Sequence, residues 1–279
     1  MYKRVLAAVN EHLNSEITAR YAMEFARSCG AKLFICFIAD KSLPHAALRN
    51  AENAVSRLFI QAEEIHVPVE SISDSGDPAA RIEQIVRRAE IDLAFVSTRR
   101  TDMKRRFYAG SVSRRLLLHL PCSVALVRVV HAGMIRPRRI LVPLKARIDQ
   151  VQQRAFFTAQ FANAFDARLF LLYASPPAAS LFGGHIHLTP IEWQQRLPES
   201  IAAFIKTLQQ QGAEVEHKVS PGAAGKTIRL EAVAKPHDLI LMGASQRSLI
   251  SSLFQGNPVE EVLRATPCDL ILFRPRHEN

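Results

Sequence analysis

Short apolar runs alternate along the chain with longer stretches in which apolar residues recur every three or four positions. The runs lie at residues 5–9, 33–38, 67–72, 93–96 and 124–127 in the first half, and at residues 140–144, 169–173, 215–219, 239–242 and 270–273 in the second. Runs of this length are typical of parallel strands that are buried on both faces. Their alternation with helices predicts a doubly wound α/β fold, with a five-stranded parallel sheet in each half and helices on both faces.

The amphipathic stretches carry signals for where helices begin and end. Asn14 or Ser15, both favoured N-cap residues, is predicted to start the first helix, and Gly30 is predicted to end it. Asp77 and Pro78 predict a further helix start, because Asp caps a helix and Pro fits its first turn.

A constant offset relates the two halves. Asp92 and Asp238 are 146 positions apart (238 − 92 = 146), and Pro121 and Pro267 keep the same offset. At the start of each half the offset is 135, so the second copy holds about eleven extra residues (146 − 135 = 11), which we assign to residues 175–187. The chain is therefore interpreted as a tandem duplication. The predicted domains are residues 1–130 and 138–276.

Composition places the chain among ordinary folded proteins. It has 279 residues, 48% of them hydrophobic, and no apolar stretch approaches the roughly 20 residues that span a bilayer. The N-terminus lacks the features of a signal peptide. Of four cysteines, none forms a CxxC pair, and Cys29 and Cys36 lie in apolar patterns. We therefore expect them to be core residues of a protein in the reducing cytoplasm.

The chain is basic, with a formal net charge of +10. Such a charge permits attraction to phosphates or nucleic acid but does not decide the fold. The basic run at residues 99–106 has little aromatic interleaving, which weakens an interpretation as a single-strand-binding surface. Nucleic acid is therefore not the favoured partner.

Residues after the first and fourth strands of each copy lie where such sheets bind ligands. After the fourth strands stand Ser97, Arg100, Gly110 and Ser111 in the first copy, and Gly243, Gln246, Gly256 and Asn257 in the second. After the first strands stand Asn10 and Lys145. The chain thereby resembles the universal stress protein family, whose ATP-binding members carry Gly-x-x-Gly, nine residues, then Gly-Ser or Gly-Thr, and an Asp after strand one. Residues 256–260 also resemble a variant of stress-protein-like domains associated with transporters.

The resemblance implies a weakened nucleotide site in each copy. Glycine lets the backbone approach a phosphate closely, and Ser97 and Arg100 replace both leading glycines in the first copy. In the second copy Lys145 replaces an acceptor with a donor. The implied ligand is weakly held ATP or another adenine nucleotide, or a small anion near Gly110 and Ser111, and no metal is predicted. The candidate binding residues are Asn10, Ser97, Thr98, Arg100, Gly110, Ser111, Val112, Lys145, Gly243, Ser245, Gly256 and Asn257.

These features favour a non-catalytic regulatory or stress-response module, and no catalytic residue is assigned. Two alternatives stay open: a weak ATP-binding protein or slow ATPase, and a basic protein that binds partners or nucleic acid. The resemblance further implies an intramolecular pseudo-dimer in which residues 124–127 lie beside residues 270–273. Whether two chains then associate as a homodimer stays open, as do the protein partners.

Residues 220–227 nearly spell a phosphate-binding P-loop between a strand and a helix. The leading position is Ser220 instead of Gly, and Pro221 has no N–H to offer a phosphate. We expect this segment to be a helix start and not a nucleotide site. His185 and His187 lack further ligands nearby in sequence, so a surface loop is favoured over a metal site.

Overall fold

The computed structural model describes residues 2–98, 111–133, 135–175, 197–222, 224–244 and 258–276. The strands in these ranges are β1 (Arg4–Val9), β2 (Lys32–Ala39), β3 (Val69–Ser75), β4 (Leu93–Ser97), β5 (Ser123–Arg128), β6 (Arg139–Leu144), β7 (Arg168–Ser175), β8 (Val215–Pro221), β9 (Leu239–Gly243) and β10 (Asp269–Arg274). The helices in the same ranges are α1 (Leu13–Cys29), α2 (His45–Glu64), α3 (Pro78–Arg88), α4 (Val112–His119), α5 (Val151–Phe165), α6 (Glu199–Gln210), α7 (Ala224–Ala234) and α8 (Pro258–Ala265). The predicted alternation of strands and helices is confirmed in both copies.

All the strands lie in one sheet, in the order β3-β2-β1-β4-β5-β10-β9-β6-β7-β8. Within each copy the neighbouring strands are parallel, as predicted. The strand order reverses between β1 and β4 in the first copy and between β6 and β9 in the second. The two five-stranded sheets therefore form one continuous ten-stranded sheet.

The copies meet through an antiparallel pair of strands, β5 and β10. Leu126 lies opposite Leu272, and Val127 lies opposite Ile271. Each strand would otherwise leave a row of unpaired backbone groups at the edge of its sheet, and pairing removes both edges. The predicted pairing of residues 124–127 with residues 270–273 is confirmed.

Helices cover both faces of the sheet. Buried apolar residues from α1, α2, α5 and α6 form one core, and those from α3, α4, α7 and α8 form the other. Each core includes residues of both copies, so the two copies share both layers. The proposed domain boundaries at residues 130 and 138 stay a prediction.

Aromatic rings fill the junction between the copies on the first face. The ring of Phe157 on α5 stacks on Phe273 of β10, with 3.9 Å between the ring centroids. Phe25 on α1 lies 5.2 Å from Phe157 across the junction. Such pairs contribute beyond the burial of their area, so this cluster helps to fix how the copies dock.

A buried arginine also joins the copies. Arg274, at the end of β10, donates to the carbonyl oxygens of Leu120 at 2.7 Å and Cys122 at 2.8 Å, and it also donates to that of Leu117. Two of these carbonyls lie at the end of α4, where a cation interacts favourably with the helix dipole. The second copy therefore caps a helix of the first.

The structure tests three predicted helix ends. Gly30 ends α1 at a φ of 62°, and the Asp77 side chain accepts from the Ala80 N–H at 2.9 Å, so both predictions are confirmed. The prediction that Asn14 or Ser15 caps α1 is wrong, because the helix begins at Leu13 and His12 holds the N-cap position. The Ser15 hydroxyl instead accepts from the Asn10 N–H at 2.9 Å, inside the turn before the helix.

Two smaller expectations also change. The third strand begins at Val69 and not at residue 67, because the Val67 N–H donates to the Ala62 carbonyl at the end of α2. Cys36 is a fully buried core residue, as expected, whereas Cys29 is only half-buried. Burial raises the pKa of the Cys36 thiol to about 12 and that of Cys29 to about 11.

Candidate functional site

The strands separate at the point where the strand order reverses. β1 and β4 pair only from Val5 to Ala7 of β1, and β6 and β9 pair only at Ile140 and Leu141 of β6. Beyond these residues each pair diverges towards its carboxyl ends. Because open α/β sheets bind ligands in the crevice at such a point, each copy has its candidate site there.

In the first copy, the residue that follows strand β1 is Asn10, and its side chain forms a hydrogen bond within the chain. The Asn10 side-chain oxygen accepts from the His12 N–H at 3.0 Å. The Asn14 amide donates across to the carbonyl oxygen of Thr98 at 3.4 Å. Asn10 follows β1 and Thr98 follows β4, and Asn14 links the two strand ends, while the side-chain oxygen of Asn10 already accepts one hydrogen bond.

The cavity beside Asn10 is small and polar, at about 220 Å³. It lies between α1 and α2 and includes Glu16 and Arg57. The Glu16 carboxylate binds Arg57 at 2.8 Å and Arg20 at 2.9 Å. The charges in this cavity are thus largely paired with each other.

Ser111 acts as the cap of α4. Its hydroxyl accepts from the Arg114 N–H at 3.3 Å, and its carbonyl accepts from the Arg115 N–H at 3.1 Å. Val112, the first residue of the helix, is half-buried. A helix cap accounts for Ser111 without a ligand, since Ser is favoured there.

The second copy has a larger cavity at its strand ends, of about 470 Å³. Lys145 and Gly243, both predicted from the sequence, line it together. Buried apolar side chains of β9, β10 and α6 form much of the wall, through Leu241, Phe273 and Phe204. The structure therefore brings two predicted residues of this copy, Lys145 and Gly243, to one cavity.

The sequence prediction missed two cations of this cavity, Arg147 and, on α5, Arg154. Arg154 is buried against Gly243, where an added Cβ would collide with its Nη1 atom. Its guanidinium donates to the Asp149 carboxylate at 2.8 Å and to the carbonyl oxygens of Ala244 at 2.8 Å and Phe273 at 3.4 Å. A side chain at position 243 would therefore collide with the Arg154 guanidinium, and glycine avoids that collision.

A sequence signal for Arg154 exists but is weak. Arg154 stands three positions before Phe157 and seven before Phe161, on the buried stripe of α5. The corresponding position of α1 holds Thr18, by the offset that relates Phe157 to Tyr21 (157 − 21 = 136; 154 − 18 = 136). A charged residue on an apolar stripe indicates a buried polar contact, but it does not say with what.

The cavity carries an excess of positive charge. Lys145, Arg147 and Arg154 line it, and Asp149 supplies one negative charge. Burial lowers the pKa of Arg154, although Asp149 opposes that shift. Loss of water around the Lys145 ammonium lowers its pKa, and the nearby Arg154 lowers it further. An anion in the cavity would stabilise both charged forms.

The P-loop-like segment lies away from this cavity. It follows β8, which is an edge strand. Gly225 is buried in α7, where an added Cβ would collide with the Glu261 side chain of α8. The packing of two helices thus accounts for this glycine, while Lys226 is exposed.

Several predicted residues lie outside the described residues: Arg100, Gly110, Ser245, Gly256 and Asn257. The same is true of the basic run at residues 99–106, of His185 and His187, and of the proposed insertion except Ser175. In the part of the chain that the structure describes, no helix has the length and apolar character of a membrane span. That part also holds no group of three or more His, Cys, Asp and Glu side chains arranged to bind a metal ion.

Solved structures share this fold over the whole chain. A universal stress protein from Archaeoglobus fulgidus is 16% identical, with a TM-score of 0.63 over 99% of this chain and 97% of that one. A functionally unknown protein from Pseudomonas aeruginosa is 16% identical, with a TM-score of 0.65 over 99% and 93%. The cytoplasmic domain of a prokaryotic cation chloride cotransporter is 15% identical, with a TM-score of 0.61 over 100% and 98%. At these identities the similarity shows the fold alone.

The sequence itself matches a family twice. No curated protein has a significantly similar sequence. The model of the universal stress protein family, however, matches residues 1–128 and again residues 137–274. The two matches cover both halves of the ten-stranded sheet, so the chain belongs to the universal stress protein family, with two family units in tandem.

Proposed function

We propose that this chain is a non-catalytic regulatory protein that senses a small anionic molecule, bound in the strand-end cavity of its second copy. The observation that carries the proposal is the set of three cations, Lys145, Arg147 and Arg154, around a cavity of about 470 Å³. Concave sites with an apolar wall and a few convergent polar groups are the usual form of small-molecule sites.

The same geometry argues against tight ATP binding in the second copy. The family resemblance assigns the base and ribose side of the ligand to an Asp after strand one, and Lys145 stands there. A lysine offers donors only, so it accepts no hydrogen bond from a ribose hydroxyl. The nearest carboxylate, that of Asp149, is engaged by Arg154 at 2.8 Å.

The first copy is a poor ATP site for a different reason. Asn10 has an acceptor oxygen, but it is bound to the His12 N–H. The small cavity beside it is lined by paired charges. The loop between Ser97 and Ser111 lies mostly outside the described residues, so a weak anion contact near Gly110 stays a proposal.

A cytoplasmic setting is part of this proposal. All four cysteines are free, and three of them are buried. Reduced, unpaired cysteines are typical of proteins in the cytosol. Burial raises the pKa of the Cys122 and Cys268 thiols to about 12, which makes them poor nucleophiles.

Native mass spectrometry of the full chain, purified without added nucleotide, tests the proposal. We expect a small anionic molecule to remain bound to the wild type. The variant Lys145→Glu/Arg147→Glu should lose it, because charge reversal repels an anion. The matched control Lys41→Glu/Arg49→Glu changes two exposed cations of the first copy and should retain it.

Two outcomes would contradict the proposal. One is ATP or ADP carried through purification in stoichiometric amount. The other is a bound anion that both double variants retain equally. Phosphate release from ATP by the purified protein would instead favour the slow-ATPase alternative.

A further inference from the structure

The cavity of the second copy has an apolar interior and a charged mouth. The interior is formed by the buried side chains of Phe204, Leu241 and Phe273. Lys145 and Arg147, which we call the mouth cations, are exposed and line the same cavity. A ligand that fills both parts must have an apolar body and a charged end.

Among the residues that the structure describes, the mouth cations have no carboxylate that is theirs alone. Asp149, the acidic residue of the cavity, is paired with Arg154 at 2.8 Å. Among the described residues, neither Lys145 nor Arg147 forms an ion pair. Loss of water around the Lys145 ammonium and the charge of Arg154 lower its pKa, although Asp149 opposes the shift, so an anion beside the ammonium would relieve an unfavourable environment.

Few side chains of the interior offer hydrogen-bond partners to a polar ligand body. Within the described residues, Thr158 is the one neutral polar side chain that lines the cavity. Arg154 has five N–H donors, and its acceptors among the described residues are two oxygens of Asp149 and the carbonyls of Ala244 and Phe273. One guanidinium N–H therefore remains for a ligand atom. A body with several polar edges would leave most of them unpaired, at considerable cost.

We propose that this cavity binds an amphipathic anion: an aliphatic chain in the interior, with a single anionic head group at Lys145 and Arg147. The proposal rests on the function proposed above, in which the cavity holds an anion, and adds the class of ligand. Burial of the ligand's methylene groups against Phe204, Phe273 and Leu241 stabilises the bound state. The head group is stabilised by two cations that form no ion pair with any described residue.

Calorimetric titration of the full chain with straight-chain carboxylates, from butanoate to decanoate below their micelle-forming concentrations, tests the ligand class. We expect the affinity to rise by about fourfold for each methylene added until the interior is filled, and then to level off. The primary alcohols of the same lengths should bind more weakly, because they lack the head-group charge.

Two double variants locate the head group. Lys145→Gln/Arg147→Gln should weaken the best carboxylate by roughly tenfold, to near the affinity of the matching alcohol, while leaving the alcohol unchanged. The control Lys41→Gln/Arg49→Gln should change neither. All four positions are exposed, so these variants are expected to fold.

The outcomes separate this inference from the proposed function. An affinity that does not depend on chain length, with inorganic phosphate bound as well as decanoate, would overturn the amphipathic ligand and leave the anion site standing. A loss in Lys145→Gln/Arg147→Gln that is equal for alcohols and carboxylates would also overturn it. Binding of neither carboxylates nor phosphate would overturn both.

Discussion

The Tyr21 hydroxyl of the first copy donates a hydrogen bond to the Asp269 carboxylate of the second, over 2.9 Å. Asp269 also accepts from the backbone N–H groups of Val130 and His131, at 2.8 and 3.1 Å. One buried carboxylate thus joins the start of β10, the chain that leaves β5, and helix α1. The docking of the two copies depends on this polar centre as well as on the paired strands.

Replacing Tyr21 with Phe should therefore destabilise the whole chain. The variant Tyr21→Phe leaves a buried carboxylate with one donor fewer, which we expect to lower the free energy of unfolding by about 2 kcal/mol. Tyr173→Phe is the matched control, because the Tyr173 hydroxyl forms no hydrogen bond among the described residues. It should change the free energy by less than about 0.5 kcal/mol. Equal urea midpoints for the two variants would contradict the structural role of this pair.

The same hydroxyl predicts a dependence on alkaline pH. Burial, and then the negative charge of Asp269, raise the pKa of Tyr21 well above its ordinary value of 10.0. Because the folded state favours the neutral phenol, its stabilising contribution is complete below that value and is lost as the pH rises towards the folded pKa. The difference in unfolding free energy between wild type and Tyr21→Phe should shrink above about pH 10. A difference that grows with pH would contradict this sign.

Gly243 and Arg154 should behave as one unit. An added Cβ at Gly243 meets the Arg154 guanidinium, so Gly243→Ala should cost about 1–3 kcal/mol of stability. In an Arg154→Met background the same change should cost clearly less, with a coupling energy above about 0.5 kcal/mol. Urea unfolding of the four proteins measures the coupling. The same cost in both backgrounds would show that the contact does not constrain the glycine.

Lys226 should be irrelevant to nucleotides. Lys226 is exposed on α7, the helix that follows the edge strand β8. The neighbouring Gly225 packs against the Glu261 side chain of α8. Lys226→Ala should leave any measurable nucleotide affinity within about twofold of the wild type, because a surface charge remote from the ligand contributes little. A loss of binding in a titration of this variant would revive the P-loop interpretation.

The hydrophobic pattern predicted most of the strands and helices, because the pattern of each element occurs twice in the sequence, once in each copy. Runs such as residues 93–96 and 239–242 match the buried strands β4 and β9. The pairing of β5 with β10 was implied by the family resemblance, and the apolar character of both edges agrees with it. The start of α1 was wrong because Ser15 uses its hydroxyl within the preceding turn. That competition between a cap and a turn depends on backbone geometry and leaves no separate trace in sequence.

The site was less predictable than the fold. Lys145 and Gly243 were found through the family resemblance, but Arg154 was not, because two of its acceptors lie 90 and 119 residues away, at Ala244 and Phe273. In the family motif a glycine at this position leaves space for a ligand, whereas in this structure the Arg154 guanidinium fills the space beside Gly243. Only the tertiary structure distinguishes the two.

The most direct test of the account is calorimetric titration of the wild-type chain with ATP and Mg²⁺. The central claim is that neither copy holds ATP with high affinity in the mode implied by the family resemblance. The Asn10 oxygen already accepts from the His12 N–H, Lys145 stands where the resemblance implies an acceptor, and the Arg154 guanidinium fills the space beside Gly243. We predict dissociation constants weaker than micromolar at both strand-end sites. A sub-micromolar constant at either site would contradict the claim.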